Sequence, residues 1–169
     1  MTFRPPVFLG LGSNVGDREG NLGRGLSLLA GRGFSVTALS SLYETEPVGG
    51  PPQGPFLNQV ARGETSLTPE ELLSACLRTE SDLGRARDVR FGPRTLDVDL
   101  LLFGDLVRDS PDPVLPHPHL HERRFVLVPL AEVDPRVRHP RLGLTAEELR
   151  DRCPDTSRVV VHVQAGARS

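Results

Sequence analysis

The chain has 169 residues, about one domain's worth, and is 37% hydrophobic, enough to bury a core without disulfides or a structural metal. Twenty basic and 22 acidic side chains leave a formal charge of −2, so no overall field draws the protein to nucleic acid or an anionic membrane. All 20 basic residues are arginine, and the lack of lysine excludes a P-loop lysine, a Schiff-base lysine and a kinase-type strand lysine.

In chain order, residues 7–11 (VFLGL) form a short apolar run that predicts a strand, closed by Gly12, Ser13 and Asn14. Leu22, Leu26 and Leu29 then recur at helical spacing, and Asn14 or Asp17 is the expected cap of that helix. Residues 34–43 (FSVTALSSLY) alternate apolar and polar side chains and are rich in strand formers, which predicts one strand. Another is expected over 56–64 (FLNQVARGE). Thr68, Pro69 and Glu71 make a capping box, Leu72, Leu73, Cys76, Leu77 and Leu83 supply a buried stripe, and Gly84 stops the helix. Residues 96–103 (LDVDLLLF) give the best-marked strand, followed by expected helices over 122–130 and 145–152 and an edge strand over 158–164.

The order strand, helix, strand, strand, helix, strand is that of an α+β, ferredoxin-like βαββαβ core: a largely antiparallel sheet with helices on one face, extended here by C-terminal additions. No repeat or linker divides the chain, so residues 1–169 are read as a single domain. No apolar run approaches the ~20 residues of a membrane span, and the opening MTFRPPVFLG is too short and proline-broken for a secretory signal, which points to the cytoplasm. Cys76 and Cys153 are far apart and read as ordinary thiols.

Two loops are long and stiff: 46–55 has proline or glycine at seven of ten positions, and 111–118 has four prolines in eight. Loops of this kind often serve as lids or binding loops, and often as plain surface turns. Asp97 and Asp99, two apart on a strand, share one face with Cα atoms roughly 7 Å apart. Paired carboxylates repel unless a cation lies between them, and oxygen-only ligands suit magnesium. Alone, the pattern is weak and fits a solvated sheet face somewhat better. Immediately before it, residues 85–94 (RARDVRFGPR) hold four arginines, whose planar donors suit phosphate oxygens or, in the alternative, pair with Asp82 and Asp88. His117, His119 and His121 alternate around Pro118, which does not favour convergence on zinc; donation to phosphate alongside Arg123 or Arg124 is the better reading.

Four segments together, GLGSNVGDR, YETEPVG with FLN, FGPRTLDVDLLLFG and LPHPHLHERRFVLVPL, resemble the 6-hydroxymethyl-7,8-dihydropterin pyrophosphokinase family over nearly the whole chain. That resemblance implies transfer of a pyrophosphoryl group from ATP to the hydroxymethyl oxygen of a reduced pterin, releasing AMP, in folate biosynthesis. It implies that Asp97 and Asp99 hold two magnesium ions, that Arg90 and Arg94 act at the triphosphate, and that Glu80, Arg87, His117 and Arg123 bind the nucleotide. Thr45, Val48, Phe56, Asn58, Phe91 and Phe125 match pterin-binding positions, with Phe125 stacking on the ring and Asn58 reading its edge. Phe56 and Phe91 stand where some members carry Tyr and Trp, Leu77 where a glutamine meets adenine, Glu46 where a proline lines the pocket, and Pro118 where an aromatic residue follows the histidine. No dedicated general base is apparent, and Asp97 is the nearest carboxylate for the hydroxymethyl proton. The arginine loop is expected to close over the reaction and reopen. The expected partners are these two small molecules, with no nucleic acid and no membrane, and the expected state is a monomer. Two rival classes share the residues: an RNA-binding module of the same topology, disfavoured by the acidic balance and the aspartate pair, and a metal-dependent phosphohydrolase, for which no nucleophile motif speaks.

Overall fold

In a computed structural model, which describes residues 4–47, 52–84 and 94–162, six strands form one antiparallel sheet. The elements in order are β1 (Val7–Ser13), α1 (Arg18–Gly31), β2 (Phe34–Leu39), β3 (Tyr43–Thr45), β4 (Phe56–Thr65), α2 (Pro69–Asp82), β5 (Asp97–Phe103), α3 (Arg124–Val133), α4 (Ala146–Arg152) and β6 (Val159–Val161). A single 3₁₀ turn, Leu120–Glu122, precedes α3. The strands run β5-β1-β4-β3-β6, with β2 also paired to β4. The α+β, βαββαβ expectation is met.

Local sequence accounts for the helix ends. Asp17 caps α1 by accepting from the Gly20 N–H at 3.1 Å. Thr68 and Glu71 form the reciprocal capping box of α2, with Pro69 at the first helical position, and Gly84 takes the left-handed conformation that follows it. Thr145 and Glu148 repeat the box on α4.

The strand expected over 34–43 is two strands. Ser40 breaks it: its Oγ accepts from the Val60 N–H at 2.9 Å, and its backbone N–H donates to the Val60 carbonyl at 2.9 Å. A hydroxyl thus enters the ladder, and β3 continues along the far end of β4, where Thr45 pairs with Phe56. The helix expected over 122–130 begins two residues later, at Arg124, because Arg123 is extended.

The two faces of the sheet are both covered. Val7, Leu9 and Leu11 of β1 pack with Leu22, Leu29, Leu72 and Cys76 from α1 and α2. Phe8, pointing the other way, packs with Val126, Leu127, Leu130 and Leu149 from α3 and α4. The C-terminal additions therefore supply a second layer on the face that the βαββαβ core leaves open. A bulge in β5 sets which residues face it: Phe8 pairs with Leu102 while Leu9 pairs with Leu100, so Leu101 is extra. Leu101 and Leu102 both join the second cluster, whereas Val98 and Leu100 join the first. Asp97 and Asp99 alternate with Val98 and so fall on the α3 side.

Candidate active site

On that α3 side lies a cleft of about 690 Å³. Its floor is sheet: Gly10 and Gly12 of β1, Asp97 and Asp99 of β5, and Phe56, Asn58 and Val60 of β4. The register explains the grouping, since Gly12 pairs with both Asp97 and Asn58, and Gly10 with both Asp99 and Val60. Glycine on the central strand leaves a trough between aspartates and asparagine. The walls are Thr45 and Glu46 at the end of β3, Gln53 and Arg94 from loops, His117, Pro118 and His119 ahead of α3, and Arg123, Phe125 and Val126 at its start.

Nine of the residues picked out from sequence thus meet in one cleft: Thr45, Phe56, Asn58, Arg94, Asp97, Asp99, His117, Arg123 and Phe125. Val48, Arg87, Arg90 and Phe91 lie outside the described residues, as does the rest of the expected closing loop before Arg94. Glu80 is placed elsewhere. It is 1% exposed on α2, and its carboxylate accepts from the backbone N–H of Val98, the residue between the two aspartates, at 2.8 Å. Leu77 is exposed on the same helix and does not border the cleft.

One end of the cleft is polar and charged. Asp97 and Asp99 bring two carboxylates, an all-oxygen donor set that fits a hard divalent cation such as magnesium. Arg94, His117 and Arg123 face the same space. His117 is tied to β5 by its N–H, which donates to the Leu101 carbonyl at 2.9 Å. Burial, then the Arg123 and His119 charges, push its ring down to about 4, against an opposing pull from Asp97. Its Nδ1 accepts from the His119 N–H at 3.2 Å, so the neutral ring carries its proton on Nε2 and presents a donor. The His119 ring nitrogen Nδ1 in turn pairs with Glu122 at 3.1 Å. Among the described residues no group of three or more His, Cys, Asp or Glu side chains is arranged to hold a metal.

Across β1 from the aspartates the lining mixes Thr45 and Asn58 with Phe56 and Phe125. Asn58 donates to Thr45 Oγ1 at 2.5 Å, which fixes its amide plane. Phe125 offers a ring face, and the Arg123 guanidinium lies 5.7 Å from its centroid, joining the two ends.

Some of this was absent from the sequence reading. Asn14, expected as a possible helix cap, instead links two loops: its Oδ1 accepts from the Arg94 N–H at 2.7 Å, and its Nδ2 donates to Gln53 Oε1 at 2.8 Å and the Gly54 carbonyl at 3.1 Å. Gly10, Gly12 and Val60 were also passed over; their signal was strand alternation, which puts them on the face of Asp97 once the register is known.

The family model for 7,8-dihydro-6-hydroxymethylpterin-pyrophosphokinase (HPPK) matches residues 8–135. The 2-amino-4-hydroxy-6-hydroxymethyldihydropteridine pyrophosphokinase of Bacillus subtilis is 47% identical over 128 residues, 75% of this chain and 77% of that protein. The enzyme of the same name from Methylorubrum extorquens is 45% identical over 130 residues, 76% of this chain and 82% of that protein. The crystal structure of wild-type Plasmodium falciparum HPPK-DHPS superposes with a TM-score of 0.68 at 14% identity, covering 89% of this chain and 45% of that one, a likeness of fold.

Proposed function

We propose, from the premise that this chain belongs to the 7,8-dihydro-6-hydroxymethylpterin-pyrophosphokinase (HPPK) family, that ATP occupies the aspartate end of its cleft and the reduced pterin the Asn58–Phe125 end. The activity is the ATP-dependent pyrophosphoryl transfer of folate synthesis. One observation carries the assignment of residues: the carboxylate pair, three cationic or hydrogen-donating side chains and an asparagine–phenylalanine wall all line a single cleft.

The pterin hydroxymethyl oxygen attacks the β-phosphorus of ATP, the bond between that phosphorus and the α-bridging oxygen breaks, and AMP leaves with the bridging oxygen. Asp97 and Asp99 would hold two magnesium ions, which neutralise phosphate charge when bound. Arg94 and Arg123 offer planar donors to the triphosphate, and His117 Nε2–H donates to a phosphate oxygen while remaining uncharged. Asn58, held by Thr45, reads the amide-like edge of the pterin; Phe125 stacks on its face, and Phe56 closes the apolar side. Asp97 is the carboxylate to which the hydroxymethyl proton passes. Arg90, Arg87, Phe91 and Val48 belong to the proposal through the family resemblance alone. Glu80 supports it indirectly, by its bond to the strand that carries the aspartates. The chain is further inferred to work as a monomeric single domain in the cytoplasm, where ATP is supplied.

The test is incubation with ATP, magnesium and 6-hydroxymethyl-7,8-dihydropterin, following AMP and pterin pyrophosphate. Pterin-dependent AMP is expected, with Asp97→Ala and Asp99→Ala each lowering turnover by about 10²-fold or more. Near-normal turnover in either variant would exclude the two-metal assignment, and ATP breakdown to ADP or phosphate without pterin would favour a hydrolase.

A further inference from the structure

The helix that carries Phe125 has no cap of its own. Arg123 stands at its N-cap position and makes no side-chain cap bond. The first helical N–H, that of Arg124, donates instead to Asp155 Oδ2 at 3.0 Å, from 31 residues further along the chain. The other oxygen, Oδ1, accepts from the Ser157 N–H at 2.9 Å and from the Ser157 hydroxyl. Burial pushes the Asp155 carboxyl up, but the Ser157 bonds, the Arg124 N–H and the Arg124 charge outweigh it and hold the group below its ordinary value. A carboxylate at a helix N-terminus also meets the favourable end of the helix dipole.

The segment that carries Asp155 is fixed at both ends. It follows α4, which packs on α3, and leads into β6, which pairs with β3 and sets Thr45 opposite Val159. Thr45 and Phe125 line the cleft from those two elements, with Val126 beside them. The Val126 and Leu127 N–H groups bond to the Arg123 carbonyl, while among the described residues Asp155 secures the Arg124 N–H, where the turn begins.

We propose that Asp155 is a positioning residue for pterin: it acts as a remote N-cap that sets the first turn of α3, and with it the height and tilt of Phe125 against the pterin ring. The residue lies outside the span matched by the family. The inference rests on the assignment of the Phe125 end to pterin. Without the cap the first turn frays, and the loss falls on pterin more than on nucleotide, whose carboxylate, histidine and arginine contacts lie largely on β5 and the loops.

The test uses the fluorescence of 6-hydroxymethylpterin, read without interference because the chain has no tryptophan. Its Kd is measured with a nonhydrolysable ATP analogue present, alongside the Kd of that analogue alone, for wild type, Asp155→Ala and Asp155→Asn. In folded Asp155→Ala the pterin Kd is expected to rise about five- to tenfold, the size of a lost cap, while the nucleotide Kd changes less than about twofold. Asp155→Asn, whose amide oxygen still accepts from Arg124, is expected to recover most of the affinity. A folded Asp155→Ala that binds pterin as wild type does would overturn the proposal, and so would equal weakening toward both ligands with no recovery in Asp155→Asn. If Asp155→Ala is unfolded at the assay temperature, Ser157→Ala is read in its place: a rise of about two- to fourfold supports the proposal and no change overturns it. Failure of the wild type itself to bind pterin would overturn the assignment of the cleft, and this inference with it.

Discussion

Burial beside Arg123 holds the His117 ring at about 4, which bears both on the phosphate contact proposed for it and on stability. In the ligand-free protein the ring is neutral across the neutral range, so an acid limb near 6.5 in kcat/KM, which reports the free enzyme, is not expected to belong to it. In stability the sign follows from proton uptake. The unfolded chain takes a proton at His117 near pH 6.5, which the folded chain refuses until about 4, so acidification between those values favours unfolding. The associated stability is intact above about 6.5 and is lost as pH falls toward 4, by up to about 3 kcal/mol. Thermal melts of ligand-free protein should show His117→Asn flatter than wild type across that window; parallel curves would refute the placement. The shared face of the aspartate pair was legible because two-residue spacing on a strand forces it. The position of Glu80 was not, since a carboxylate on a helical stripe reads as exposed until the strand N–H that it meets is known.

At the scale of elements, β1 acts as a spacer. A Cβ on Gly12 would stand 2.6 Å from Asn58 Oδ1, while one on Gly10 would meet the Leu101 side chain at an ordinary 3.4 Å. Gly12→Ala is therefore expected to push Asn58 off Thr45 and raise the pterin KM about tenfold, with the ATP KM little changed. Gly10→Ala should be near neutral in both, and equal effects from the two would contradict the register. Elements with local signals were readable, the capping box of α2 above all, because its bonds join residues three apart. The bulge at Leu101 and the break at Ser40 were not, because each is a relation to another strand: one depends on where β1 lies and the other on the backbone of Val60. The start of α3 was misjudged for the same reason, its cap being 31 residues away.

For the whole molecule, both apolar clusters draw on β1, β4 and β5, so neither layer can come away with the sheet left whole. One cooperative transition is expected. Tyr43, the single tyrosine, reports on it well: its hydroxyl donates to Glu132 of α3 at 2.8 Å, and burial followed by that carboxylate pushes it up to about 12. Its fluorescence and far-ultraviolet circular dichroism should change together on denaturation; two separated midpoints would argue for independent units. The general architecture was legible from element order, whereas the covering of the second face by α3 and α4 was not, because helical periodicity tells which side of a helix is apolar and not which side of a sheet receives it.

The two ends of the sheet also bear on how the protein behaves when crowded. β5 is an outermost strand, yet the buried Glu80 carboxyl already accepts from the N–H of Val98, so a strand from another chain meets an occupied donor there. At the opposite end β6 is three residues long, with Val160 and Val161 exposed. Concentrated solutions should therefore resist strand-by-strand stacking at the β5 edge. Glu80→Leu should do the reverse, scattering light at concentrations where the wild type stays clear.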